Sequence, residues 1–145
     1  MVDDLSKPPL AGLRVIDFTT MIAGPYCARL LADCGAEVIK IETADGDYIR
    51  KATPMSDGVS SYFGHLNCGK KSVVLDLRSD EGNKAAFNLV ASADVVVENF
   101  RPGVMDRLGL NYARLANDHP DLIYCAISGF GQTGPRAADP AYAPI

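Results

Sequence analysis

No stretch of this chain is apolar for long enough to span a bilayer, and residues 1–4 lack the basic start of a secretory signal. Positive charge is not in excess: 14 Lys and Arg against 18 Asp and Glu leave a formal net charge of −4. That balance offers no electrostatic footprint for nucleic acid or an anionic membrane surface. The four cysteines, Cys27, Cys34, Cys68 and Cys125, contain no CxxC pair, which argues against disulfides and against metal ligation. Cys27 and Cys34 fall on an apolar helical stripe and Cys125 in a strand-like run, so free buried thiols in a cytoplasmic protein are expected. Internal repeats and low-complexity tracts are absent as well. What is there is ordinary for a soluble globular protein: 145 residues, 48% hydrophobic and 22% charged, enough for one core and one domain.

Residues 13–42 read as a complete strand–turn–helix–strand unit. Residues 13–18 are a short apolar run rich in β-branched side chains, the pattern of a strand buried on both faces. A turn over residues 19–24 leads to Pro25, suited to the first position of a helix because its missing N–H costs nothing there. Cys27, Leu30, Leu31 and Cys34 then recur at helical spacing, with Arg29 and Asp33 on the other side. Gly35 stands where a helix takes a left-handed closing residue, and residues 36–42 form a second buried strand. A helix joining two such strands implies a parallel crossover and hence an α/β sheet. Ligands of such sheets sit beyond the carboxyl ends of the strands.

Further strands are expected at residues 72–77, 94–99 and 122–128. Helices are expected from an N-cap at Ser79 to about residue 92, over 104–108 and over 111–117. Residues 43–71 carry turn residues and little periodicity, and loops of that length are usually functional or disordered. Two motifs mislead. Glu42 ends the second strand where a ribose-binding acid would sit, yet the preceding turn holds one glycine, Gly24, in place of the G-x-G-x-x-G that a pyrophosphate needs. Residues 64–71 are one residue short of a P-loop, and a strand follows where that motif demands a helix.

Several segments in order then resemble one family. They are residues 9–17, Ala23-Gly24-Pro25, residues 35–42, 67–71 and 75–77, Val97-Glu98-Asn99-Phe100-Arg101-Pro102-Gly103, and residues 127–135 around Gly129-Phe130-Gly131. Together these resemble the family III CoA-transferases, the group that includes formyl-CoA and carnitinyl-CoA transferases and α-methylacyl-CoA racemase. The resemblance implies an α/β fold, a Rossmann-like parallel sheet with helices on both faces. Residues 1–145 would be the N-terminal part of the large CoA-binding domain, without the small domain and C-terminal segment, and the full-length protein an interlocked homodimer.

The same resemblance implies a binding site for coenzyme A, with acyl-CoA and a carboxylic acid as substrates and no metal. Met21, Ile22 and Ala23 match the segment that packs near the adenine and pantetheine. Leu75, Asn99, Phe100, Val104, Arg107 and Leu108 match positions lining the CoA site. Thr43 and Ser128 stand where relatives carry basic residues, leaving Arg50, Lys70, Lys71 and Arg101 as nearby cations for phosphate; Lys70 and Lys71 read equally well as a solvated loop. The family nucleophile is an aspartate whose carboxylate attacks acyl-CoA to give a mixed anhydride. The released thiolate returns to form an enzyme–CoA thioester, and the acceptor acid takes the CoA. The resemblance places Ala143 at that nucleophile position, where a methyl group can do none of this. The readings open at this stage are a transferase, a CoA-binding protein without turnover, an acyl-CoA racemase, and a nicotinamide-dependent oxidoreductase domain.

Overall fold

A computed structural model describes residues 7–142. In chain order the elements are β1 (Arg14–Asp17), α1 (Ala23–Asp33), β2 (Glu37–Glu42), a 3-10 turn (Tyr48–Lys51), β3 (Met55–Ser56), β4 (Val59–Ser60) and α2 (Ser61–Asn67). Then follow β5 (Lys71–Val74), α3 (Asp80–Val90), β6 (Val95–Glu98), α4 (Val104–Arg107), α5 (Tyr112–Asp118) and β7 (Ile123–Ala126). The main sheet has the order β5-β2-β1-β6-β7 with every neighbouring pair parallel, and β3 and β4 form a separate antiparallel hairpin.

Alternation along β1 and its neighbours divides the core in two. Val15, Val38 and Val97 face Ala28 of α1 on one side. Ile16, Ile41 and Val96 face Ala86 and Val90 of α3, Met105 of α4 and Leu115 of α5 on the other. Helices therefore cover both faces, which is why the strands read as unbroken apolar runs. The third run stops short of its expected end: after β5 the chain makes one more ladder bond, Leu75 N–H to the Glu42 carbonyl. It then turns away at Asp76, whose carbonyl accepts from Ser79 N–H.

Helix α1 begins two residues earlier than its proline suggested, so Pro25 is the third helical residue; its missing N–H is still one of the four without a helical partner. Its packing face is shifted: Cys27 and Leu31 of the expected stripe pack against the core but are only partly buried. Gly24, Pro25 and Ala28 are the buried positions, while Leu30 is 47% exposed and Cys34 lies on the surface. The helix approaches the sheet along its smallest side chains: a Cβ at Gly24 would overlap the Thr19 side chain. At the other end Gly35 (φ +98°) closes a Schellman motif, with Gly35 N–H on the Ala32 carbonyl and Ala36 N–H on that of Leu31. All four thiols are free, but Cys34 and Cys68 are exposed and only Cys27 and Cys125 are half-buried, a correction to the expectation of buried thiols.

Residues 43–70 hold more structure than their composition suggested. Helix α2 is capped by the Ser60 hydroxyl, which accepts from Phe63 N–H at 3.1 Å. It spans only seven residues and buries only Leu66 and Asn67, too little for a periodic signal. Helix α3 matches expectation, with the Ser79 hydroxyl accepting from Gly82 N–H and Asp80 and Glu81 in the first turn.

Candidate functional site

Strand order reverses at the centre of the sheet: β1 leads to β2 on one side, while α3 carries the chain from the β5 edge back to β6 on the other. Loops leaving the carboxyl ends of β1 and β6 therefore diverge and open a crevice, the place where ligands bind in such sheets. A cleft of about 1170 Å³ lies beyond the carboxyl ends of β2, β5 and β6, to one side of that point, bounded by the loops after β2 and β5, the first half of α3, Phe100, α4 and Arg114 of α5. A smaller cavity of about 60 Å³ lies deeper, between Phe18, Thr20, Lys40, Glu42, Asp47 and Leu75, and shares Thr43, Leu77 and Phe100 with the cleft.

The cleft has an apolar floor of Leu77, Phe87, Phe100, Val104 and Leu108 and a cationic rim of Arg78, Lys84, Arg107 and Arg114. The Arg114 guanidinium stands over the Phe87 ring, 5.1 Å from its centroid. None of these four cations forms an ion pair among the described residues. Asp45, Asp76 and Asp80 interrupt the rim with negative charge. Such a surface suits a long ligand that is apolar along part of its length and carries phosphates at another.

The expected site residues separate into groups. Phe100, Val104, Arg107 and Leu108 line the cleft, and Leu75 lines the inner cavity. Asn99 faces elsewhere: its Oδ1 accepts from Thr20 N–H at 2.9 Å and its Nδ2 donates to the Thr20 carbonyl at 2.8 Å, tying the β6 loop to the β1 loop. Met21, Ile22 and Ala23 leave β1 at the head of α1 and line neither space. Ala143 lies outside the described residues. Sequence reasoning missed Arg78, Lys84 and Arg114. Arg78 had a signal, since it directly follows the third strand-like run, at the end of the sheet where ligands bind.

Three of the cations proposed for phosphate are already engaged. Lys70 is no solvated-loop residue. Its side chain is 2% exposed and its Nζ donates to Asp17 Oδ2 (2.8 Å), the Pro25 carbonyl (2.8 Å) and Asn67 Oδ1 (2.9 Å). Burial pushes the Lys70 ammonium below the usual lysine range while Asp17 pulls it back up. Arg50 makes a fork on Glu42, at 2.6 and 2.7 Å, and lies over the Phe63 ring at 3.8 Å. Lys71 pairs with Glu37. Burial alone would raise the Glu42 pKa, but hydrogen bonds from Arg50, Ser72 and Asp47 N–H, with the Arg50 charge, bring it down to about 2. Burial raises that of Glu98, whose carboxylate accepts from Phe100 N–H at 2.8 Å and so orients the residue shared by both spaces.

Comparison with known proteins agrees with this architecture. An acetyl-CoA:oxalate CoA-transferase of Acetobacter aceti is 53% identical over 138 residues, covering 94% of this chain and 35% of that protein. A succinyl-CoA:mesaconate CoA-transferase of Haloarcula hispanica is 48% identical over 135 residues, covering 90% of this chain and 34% of the relative. The crystal structure of a CAIB/BAIF family protein from Brucella suis superposes with a TM-score of 0.89 at 43% identity, over 94% of this chain and 37% of that one. The chain thus spans about a third of the length of the curated relatives it matches. The sequence model of CoA-transferase family III matches residues 10–145, and the chain belongs to that family.

Proposed function

We propose that the protein to which this chain belongs moves coenzyme A from an acyl-CoA to a carboxylic acid, and that this chain builds the crevice holding the CoA moiety. One observation carries the reading: an apolar-floored cleft beyond the carboxyl ends of β2, β5 and β6, rimmed by the cations Arg78, Lys84, Arg107 and Arg114. The rim would take the phosphates and Phe100, Val104 and Leu108 the apolar face of the nucleotide or pantetheine arm. Binding energy collected on the nucleotide and pantetheine parts of the substrate serves to place the thioester for attack. In the covalent route a carboxylate attacks the acyl-CoA carbonyl and expels the CoA thiolate, leaving a mixed anhydride. The thiolate then attacks the enzyme-side carbonyl and releases the first acid. The acceptor carboxylate attacks the resulting thioester, and the expelled thiolate closes the cycle on the acceptor's acyl carbon. Ala143 cannot supply the carboxylate, so in this reading another residue of the complete protein does. The protein would work as a homodimer.

Calorimetry on the full-length protein tests the binding half. Arg78→Ala and Arg107→Ala should each weaken CoA binding by about 1–3 kcal/mol, the range for a lost charge-assisted hydrogen bond. Transfer of labelled CoA between acids, with the adduct trapped by hydroxylamine and mapped by mass spectrometry, tests the chemical half. CoA binding without exchange would make this a binding protein; stabilisation by a nicotinamide dinucleotide and not by CoA would overturn the reading.

A further inference from the structure

Three of the rim cations come from three separate segments of backbone. Arg78 follows Leu77 in the turn from β5 to α3, Arg107 ends α4, and Arg114 projects from α5. One side chain on the wall of the cleft reaches two of these segments at once. Asn83, the fourth residue of α3, donates from Nδ2 to the Leu108 carbonyl at 2.7 Å and to the Leu77 carbonyl at 3.4 Å. Both partners are acceptors, so the nitrogen of the amide, with its two protons, is the atom that faces them. The Leu77 carbonyl belongs to the peptide that leads into Arg78, and Leu108 directly follows Arg107.

Arg114 is tied to the same place. The Leu108 carbonyl belongs to the peptide leading into Gly109, which takes φ +65° and lies so close to Arg114 that a Cβ there would overlap the guanidinium. Arg114 thus rests on the backbone that Asn83 holds and on the Phe87 ring, one turn further along α3. On the other side the turn is pressed onto α3, since a Cβ at Gly82 would overlap the Asp76 carbonyl. Helix formation does not ask for asparagine here. Helix α3 already has its N-cap in Ser79, and inside a helix asparagine is a poorer former than alanine. What the side chain does is join two walls of the cleft.

We propose that Asn83 is the positioning residue of the cationic rim: its amide fixes the spacing between Arg78 on one wall and Arg107 and Arg114 on the other, so that they close together on the phosphates of one ligand. This rests on the CoA-binding reading above. Asn83 acts through the two carbonyls it holds. Like charges repel one another until an anion lies between them, and long side chains on unlinked segments spread apart. A ligand would then bear the cost of gathering them, which a preset spacing removes.

The test is a double-mutant cycle on the full-length protein, with CoA affinity read by calorimetry and folding by thermal unfolding. Asn83→Ala should weaken CoA binding about tenfold while cooperative unfolding persists, and the loss should shrink as salt screens the rim. Arg78 is the rim cation on the Leu77 side of the clamp, so without it there is no spacing across the cleft to keep. In the Arg78→Ala background, Asn83→Ala should therefore cost about threefold or less. Equal losses in both backgrounds would make Asn83 a general structural residue and overturn the proposal, as would unchanged affinity in Asn83→Ala or a loss that salt does not alter. Those outcomes leave CoA binding by the unaltered protein in place; its absence would overturn the functional reading together with this one. Should Asn83→Ala fail to fold, Asn83→Ser, which keeps one O–H donor, is read in the same two backgrounds. A background-dependent loss there supports the proposal, and a background-independent or absent loss overturns it.

Discussion

Replacing Lys70 with methionine should be one of the most destabilising single changes available in this chain. The Lys70–Asp17 pair is 2.8 Å long with side chains 2% and 0% exposed. At an effective dielectric of 20 such a contact is worth about 6 kcal/mol of attraction, and the desolvation of two ions consumes most of it. The intact pair is therefore close to neutral, whereas breaking it is not. Lys70→Met leaves Asp17 Oδ2 buried without its cation and strips a donor from the Pro25 carbonyl and Asn67 Oδ1. The expected loss is about 3–5 kcal/mol, a large part of the roughly 5–15 kcal/mol typical of a domain. Adding Asp17→Asn removes the stranded charge while keeping an acceptor for Thr19, so the double variant should recover to within about 1–3 kcal/mol of the unaltered protein. Urea unfolding at neutral pH, with a constant slope as the check on two-state behaviour, measures both. A loss below about 1 kcal/mol in Lys70→Met, the range of an exposed pair, would refute the reasoning. So would a double variant no more stable than the single.

Acid should act through Glu42. Its folded pKa of about 2 lies below the ordinary 4.5, so its contribution of about 3 kcal/mol is present above pH 4.5 and is lost as pH falls through 2. Arg50→Met should flatten that acid limb in urea midpoints taken across the window, and an unchanged limb would count against the assignment. Gly35→Ala forces a side chain into φ +98° and into Pro8, and should cost about 1–3 kcal/mol in thermal unfolding. Asn99→Ala should lower CoA affinity by freeing Thr20, without removing any cleft wall; hydrogen exchange at residues 19–22 should rise while α3 stays protected.

Much of the architecture is legible in the amino-acid sequence. The central strands β1, β2 and β6 announce themselves because strands buried on both faces need apolar side chains on both sides, and residues such as Val15, Ile16, Val96 and Val97 satisfy that need locally; the more exposed edge strands β5 and β7 show through β-branched residues such as Val73 and Ile123. Gly35 and Ser79 are equally plain, since a helix end must find partners for its free backbone groups within a few residues. The segments around Ala23-Gly24-Pro25 and Val97–Gly103 carry the family.

Other features belong to the tertiary structure. Which side of α1 packs is decided by how near the helix can come to the sheet, and the small edge of Gly24 and Ala28 prevails over the larger stripe of Leu30 and Cys34. The state of each charge is decided by partners far along the chain: Asp17 meets Lys70 across 53 residues, and Thr19 meets Lys40 across 21. Periodicity takes a lysine to be solvent-facing, because it carries no record of what lies opposite. The rim of Arg78, Lys84, Arg107 and Arg114 exists only where α3, α4 and α5 converge at the end of the sheet. Local sequence thus determined the elements and their order, while burial and pairing of the polar groups that shape the site came from long-range packing, where one side chain's environment is set by others that no local pattern encodes.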